Sequence, residues 1–150
     1  MEIKIKSRPG KYRQLTGDVT KPFGAGLIIQ VVNDVGAYGA GVSGAIGARW
    51  KKVPTEYKRL AQSGSKEFRL GHVQFIYIDP DFEIANMLAQ KGLRGAGNPQ
   101  PLQYDVLSNC LGQVVRYAKE NGHKRVHAPY CLGCGLAGGD WEEVEKILID

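Results

Sequence analysis

The sequence predicts an α/β domain, a mixed β-sheet held between layers of helices in a three-layer α/β/α arrangement. Aliphatic runs of strand length alternate with stretches of helical periodicity, which brings helices against a sheet. Two of the runs end in glycine-rich loops that open onto helices, one within Val31–Gly47 and one at Gly133–Gly139. A turn at Asp79-Pro80-Asp81 joins two further runs as a hairpin, so at least one pair is antiparallel and the sheet is mixed.

In chain order, residues 1–17 read as one or two strands, with Ile3 and Ile5 alternating before a turn at Pro9-Gly10 and Tyr12 and Leu15 after it. Gly17-Asp18-Val19-Thr20 then turns the chain. Leu27–Val32 is aliphatic apart from Gln30, the pattern of a strand covered on both faces. Beyond Gly36, Gly39 and Gly41, the residues Ala45, Ile46, Arg49 and Trp50 fall at helical spacing, which predicts a helix from Val42 to about Val53. Pro54 suits the first turn of a second helix running through Gln62, and Ser63-Gly64 ends it. Arg69–Ile78 and Phe82–Ala89 form the arms of the hairpin, and Lys91–Gln100 is a loop punctuated by Gly92, Gly95, Gly97 and Pro99. Pro101–Asn121 is predicted as a helix with Leu107, Leu111, Val114 and Ala118 on its buried face, ended by Gly122. Arg125–Pro129 is a short strand. Asp140 opens a last helix that buries Trp141, Val144, Ile147 and Leu148.

At 150 residues the chain makes one domain with a core that needs no disulfide or metal, and 43% hydrophobic against 23% charged residues fits a globular protein. No apolar run reaches the roughly 20 residues of a membrane helix, and the amino terminus lacks the apolar stretch of a signal peptide. A cytoplasmic location without membrane contact is therefore expected, and a monomer. Cys110, Cys131 and Cys134 are odd in number and make no disulfide framework. Cys131 and Cys134 are spaced as Cys-x-x-Cys, yet zinc needs two more ligands, and His123 and His127 flank the preceding strand instead of closing a tetrahedron. Neither a metal nor a cofactor is expected. The formal charge is +5, part of it from Lys4, Lys6, Arg8, Lys11 and Arg13, a basic face suited to an anionic ligand or, as a weaker option, RNA.

The chemistry centres on the first glycine loop. A helix N-terminus gathers unpaired N–H groups and the positive end of the helix dipole, which together favour a phosphate. The loop is no phosphate-binding Gly-x-x-x-x-Gly-Lys motif. Gly39, Gly41 and Gly44 match a dinucleotide fingerprint, but the acidic residue that should follow a second strand is missing, which makes that reading the weaker one. The same glycines also arise where helix and strand simply pack closely. Asp18 is a ligand-binding candidate that also reads as a turn residue bonding nearby N–H groups, and Asp140 with Glu143 reads equally as a capping box. If the strands before the two glycine loops are parallel neighbours, both loops reach one edge and can clamp a single diphosphate.

Gly17-Asp18-Val19-Thr20, Asn33 with Gly39-Ala40-Gly41-Val42, and Gly133-Cys134-Gly135-Leu136 occur in an order that resembles the macrodomain family of ADP-ribose-binding modules. The nearest branch is that of terminal ADP-ribose protein glycohydrolase. The resemblance implies a macrodomain fold, a partner that is ADP-ribose or an ADP-ribosylated substrate, and adenine held by Asp18 and the Val19 backbone. It further implies that Gly39, Ala40, Gly41 and Val42, with Gly133, Cys134, Gly135 and Leu136, wrap the diphosphate and distal ribose, with Asn33 beside that ribose. That branch uses a lysine at the end of the middle hairpin and an aspartate after its second loop. Here Gln90 and Ala137 stand there, leaving Lys91 and Asp140 as candidate substitutes. Hydrolysis of an ADP-ribosyl bond or of ADP-ribose-1''-phosphate, with a water held by Asn33 and the loops, is expected, against a module that binds without turnover. Members of the family carry one more strand after the last helix, so the sheet is expected to be one strand shorter here or the chain to continue.

Overall fold

The computed structural model describes residues 2–8, 11–16, 18–22, 24–39 and 41–129, with residues 2–16 and 41 taken as backbone. The strands are β1 (Glu2–Arg8), β2 (Lys11–Thr16), β3 (Gly26–Asn33), β4 (Val73–Tyr77), β5 (Phe82–Gln90) and β6 (Val126–Pro129), and the helices are α1 (Gly41–Arg49), α2 (Lys52–Gln62) and α3 (Tyr104–Glu120). The predicted second glycine loop and last helix lie outside the described residues.

Among the described residues six strands form one sheet in the order β2-β1-β6-β3-β5-β4. β3 is parallel to both of its neighbours, β5 and β6, while β1 pairs antiparallel with β2 and β6, and β4 antiparallel with β5. Alternation along each central strand sends side chains to two cores. Leu27 and Ile29 of β3, with Ala85, Met87 and Ala89 of β5, meet Leu107, Cys110 and Val114 of α3 on one face. Ile28 and Ile84 meet Ile46 of α1 and Val53 of α2 on the other, and Val32 and Leu88 meet Tyr57 there. The helices therefore cover both faces of a mixed sheet, as the sequence predicts. At the far end of α3, Tyr117 donates a hydrogen bond of 2.6 Å to Glu83 of β5 and stacks on Phe75 at 3.7 Å, and His123 also contacts Glu83.

Several boundaries differ from expectation for local reasons. The first helix stops at Arg49, not near Val53, and α2 begins at Lys52. Pro54 has no N–H to continue the ladder, so a fresh start that places it in a first turn loses nothing. The third helix starts at Tyr104, and Pro101 is not in its first turn. The segment before it is extended, and the Lys91 N–H donates to Pro101 O and the Gln103 N–H to Ala89 O, so the end of β5 takes these residues as a short partner. Arg69–His72 lies outside β4: the Gly71 N–H donates to Leu88 O at 2.9 Å, with Gly71 at φ +93.

Candidate functional site

The pairing pattern fixes what comes together. β6 and β2 are both antiparallel to β1, and β6 and β5 are both parallel to β3, so β2, β6, β3 and β5 all run one way. Ile3 of β1 faces Leu15 of β2 on one side and Pro129 of β6 on the other, which sets those two strand ends level. Asp18, the stretch 33–39 and the pair Gln90-Lys91 therefore emerge at one edge, and there the chain leaves β6 toward Gly133, Cys134, Gly135, Leu136 and Asp140. Those five residues, and Ala40, lie outside the described residues.

Asp18 opens a turn: its Oδ1 accepts the Thr20 N–H at 2.9 Å and the Thr20 hydroxyl at 2.8 Å. The backbone bond first, and then the hydroxyl, hold its carboxyl below the usual carboxylate value. Both bonds fall on one oxygen, so the carboxylate keeps acceptor capacity for a ligand amine. Next to it Val19 is fully buried among Ile28 and Ile46, which ties the turn to α1.

Val32 and Asn33 both reach toward Tyr57, and a register shift between them makes this possible, since alternation would send consecutive residues to opposite faces. Asn33 Oδ1 accepts the N–H groups of Val35 and Ala37 at 3.1 Å each and lies 2.7 Å from the Tyr57 hydroxyl, while Nδ2 donates to Ala37 O at 2.7 Å. The Tyr57 hydroxyl also lies 2.7 Å from Asn33 O, and burial raises its pKa well above the ordinary tyrosine value. Asn33 Oδ1 is thus taken up by its own loop and by Tyr57, so the residue shapes the loop, while Nδ2 keeps a second N–H beyond the one given to Ala37.

From there the chain reaches Gly39, whose φ of +129 suits only glycine, and enters α1 at Gly41 and Val42. Two helix glycines let this loop settle on α1. A Cβ at Gly44 would lie 3.0 Å from Gly39 O, and one at Gly47 only 2.9 Å from the Tyr38 ring. Close packing thus accounts for Gly44 and Gly47, whereas a Cβ at Gly39 would meet nothing within 4 Å, and the N–H groups of the first turn of α1 end at the strand edge.

β5 ends at Gln90, so Lys91 is the first residue beyond the strand and is exposed. Gln90 is buried at the end of the strand, and its Nε2 donates to Gly92 O at 3.1 Å. Asp34 ties the two loops together: its N–H donates to Gln90 O at 3.1 Å and its Oδ1 accepts the Gly92 N–H at 2.8 Å. His123 and His127 are apart in role, His123 on Glu83 and His127 with Nε2 2.8 Å from Gly24 O. Sequence patterning does not single out Asp34, Tyr38, Ser43 or Tyr57, because each is an ordinary polar or aromatic residue whose partner is distant along the chain.

The fold and the site define an α/β domain that gathers a carboxylate turn, a glycine loop and a helix N-terminus along one sheet edge. The chain belongs to the macrodomain family: the family model described as "Macro domain" matches residues 29–148. Among solved structures, a protein of unknown function from Bacteroides thetaiotaomicron is 36% identical, with a TM-score of 0.81 over 89% of this chain and 85% of that one. A macrodomain protein from Streptomyces coelicolor is 34% identical, with a TM-score of 0.74 over 88% of this chain and 84% of that one. DarTG from Thermosipho africanus, solved in complex with ADP-ribose, shares the fold at 16% identity and a TM-score of 0.74, over 97% of this chain and 39% of that one. Among curated proteins none matches this sequence.

Proposed function

We propose that this macrodomain binds ADP-ribose or an ADP-ribosyl group along the edge formed by β2, β6, β3 and β5 and hydrolyses the bond at the distal ribose. One observation carries the binding half: four co-directional strands bring Asp18, the stretch 33–39 before α1 and the end of β6 at Pro129 to the same edge. The ADP-ribose held by the structurally similar DarTG supports the same ligand here. Asp18 takes the adenine amine, with the Val19 backbone beside the ring. The first turn of α1 has no acidic residue, so its N–H groups and dipole face the diphosphate without a competing charge.

For the chemistry, water adds to the anomeric carbon of the distal ribose while that carbon's bond to the carboxylate or phosphate oxygen breaks. The electron pair leaves with that oxygen and the water's proton passes to solvent. Lys91, exposed just past β5, brings a cation toward the departing anion, and Asp140 is the candidate to orient the water. Asn33 acts through the loop it shapes.

A second reading, binding without turnover, is favoured by the saturated Asn33 oxygen and by Gln90 at the lysine position of the resembled branch. Calorimetry with ADP-ribose tests the site. Release of ADP-ribose from an ADP-ribosylated peptide, or of phosphate from ADP-ribose-1''-phosphate, by wild type and by Lys91→Ala separates enzyme from module: binding without release in either assay leaves only the module.

A further inference from the structure

The polar break in β3 is the end of a buried chain of amides. Gln30 is 1% exposed and Asn86 fully buried. Gln30 Nε2 donates to Asn86 Oδ1 at 2.7 Å, Asn86 Nδ2 to Gln74 Oε1 at 3.1 Å, and Gln74 Nε2 to the backbone oxygen of Glu56 at 3.0 Å. The chain thus crosses three neighbouring strands, β3, β5 and β4, and ends on α2. Its polarity follows from that last partner. A carbonyl only accepts, so Gln74 must turn its nitrogen to Glu56 and its oxygen to Asn86, which in turn points the Gln30 nitrogen at Asn86.

The Gln30 oxygen then faces the other way and accepts the Ser43 hydroxyl at 2.9 Å, while the second N–H of Nε2 reaches the Tyr38 hydroxyl at 3.2 Å. Tyr38 and Ser43 are the residues that bracket Gly39-Ala40-Gly41-Val42. One buried carboxamide therefore holds both shoulders of the glycine loop from beneath. With its proton committed to Gln30, the Ser43 hydroxyl has none to offer a phosphate, which leaves recognition to the main-chain N–H groups.

We infer that Gln30 is a positioning residue for the diphosphate: it fixes the glycine loop and the first turn of α1 before the ligand arrives, resting on the binding site proposed above. Preformed donors bind an anion better than donors that must first be ordered, since the ordering entropy is then spent in folding. Asn86 and Gln74 relay the same constraint from α2, so the loop is indexed to the sheet and not only to its own helix.

The experiment compares ADP-ribose affinity, by calorimetry well below each variant's melting temperature, for wild type, Gln30→Met, Ser43→Ala, Ser43→Thr and the double change. A residue that merely stabilises the core lowers the melting temperature and leaves affinity alone, because the folded fraction is complete at that temperature. A positioning residue lowers affinity. Gln30→Met and Ser43→Ala are each expected to weaken binding by about 5- to 10-fold, the effect of one lost hydrogen bond. The double change adds little further, and Ser43→Thr, which keeps the hydroxyl, binds nearly as wild type. If Gln30→Met does not fold, Ser43→Ala decides, since alanine favours the helix. Wild-type binding with unchanged affinity in the variants overturns the clamp alone, whereas a wild type that ignores ADP-ribose overturns the binding site on which it rests.

Discussion

Asp18 and His127 show how single residues set measurable behaviour. Asp18 spends one oxygen on its own turn, and in the site proposed above the other takes the adenine amine, so under that proposal Asp18→Ala removes both a turn contact and an adenine contact. ADP-ribose binding is expected to weaken by about 1 to 3 kcal/mol by calorimetry, the loss that follows an unmatched buried partner. An unaltered affinity would remove Asp18 from the adenine site. His127 is fully buried, with Nε2 on Gly24 O and Nδ1 without a hydrogen-bond partner among the described residues. Burial, the largest cause, holds its pKa below the ordinary 6.5, and a proton at Nδ1 would place a charge where nothing accepts it. Near pH 6.5 the unfolded chain begins to take up a proton that the folded chain refuses, so stability is intact above that pH and declines below it. The slope reaches about 1.4 kcal/mol per pH unit for one such group. His72 is lowered by burial as well and acts in the same sense. Urea unfolding at about pH 7.5 and about pH 5.5 should show this loss, with a smaller loss in His127→Gln. An equal loss in that variant would assign the slope to other groups.

At the level of elements, the junction from β3 into α1 and α2 carries the most constraint. Tyr57 fastens α2 to the end of β3 through Asn33, and its ring meets Tyr38 at 5.7 Å and Phe68 at 6.0 Å. Tyr57→Phe keeps the rings but removes the donor to the Asn33 backbone oxygen, while Oδ1 retains the Val35 and Ala37 N–H groups, and this should cost about 1 to 3 kcal/mol in chemical unfolding. No loss there would mean that water satisfies that oxygen. Gly47 makes a sharper test. Alanine is the better helix former by roughly 1 kcal/mol, yet its Cβ would stand 2.9 Å from Tyr38 and 3.3 Å from Pro54. Overpacking of this kind costs about 1 to 3 kcal/mol, so Gly47→Ala should melt below wild type. A rise in melting temperature would show that Tyr38 can step aside without cost.

Across the whole molecule, the proposed site links binding to folding through one edge. A ligand that touches β2, β3 and the start of α1 ties together segments far apart in sequence, so it favours the folded state as a unit. At about 100 times its dissociation constant, ADP-ribose should stabilise the protein by about 2.7 kcal/mol, read as a higher melting temperature that follows ligand concentration. An unmoved transition would argue against ADP-ribose as the ligand. Among the described residues no helix is long and apolar enough to cross a membrane.

The local pattern of the chain determined the strands, the hairpin and most helices, because apolar periodicity and glycine or proline punctuation act over neighbouring residues. It also marked Asp18 and the first glycine loop, since turns and helix starts have their own residue preferences. Gln30 left a trace as the one polar residue in an aliphatic run, but not its purpose. Only the tertiary structure decided that purpose, together with the Tyr57 bond to Asn33 and the Asp34 tie to Gly92. Each of these depends on strand order and register, which place Asn86 against Gln30 and Tyr57 against Asn33. Hydrogen bonds between residues tens of positions apart form only after the sheet is assembled, so no local pattern could carry them.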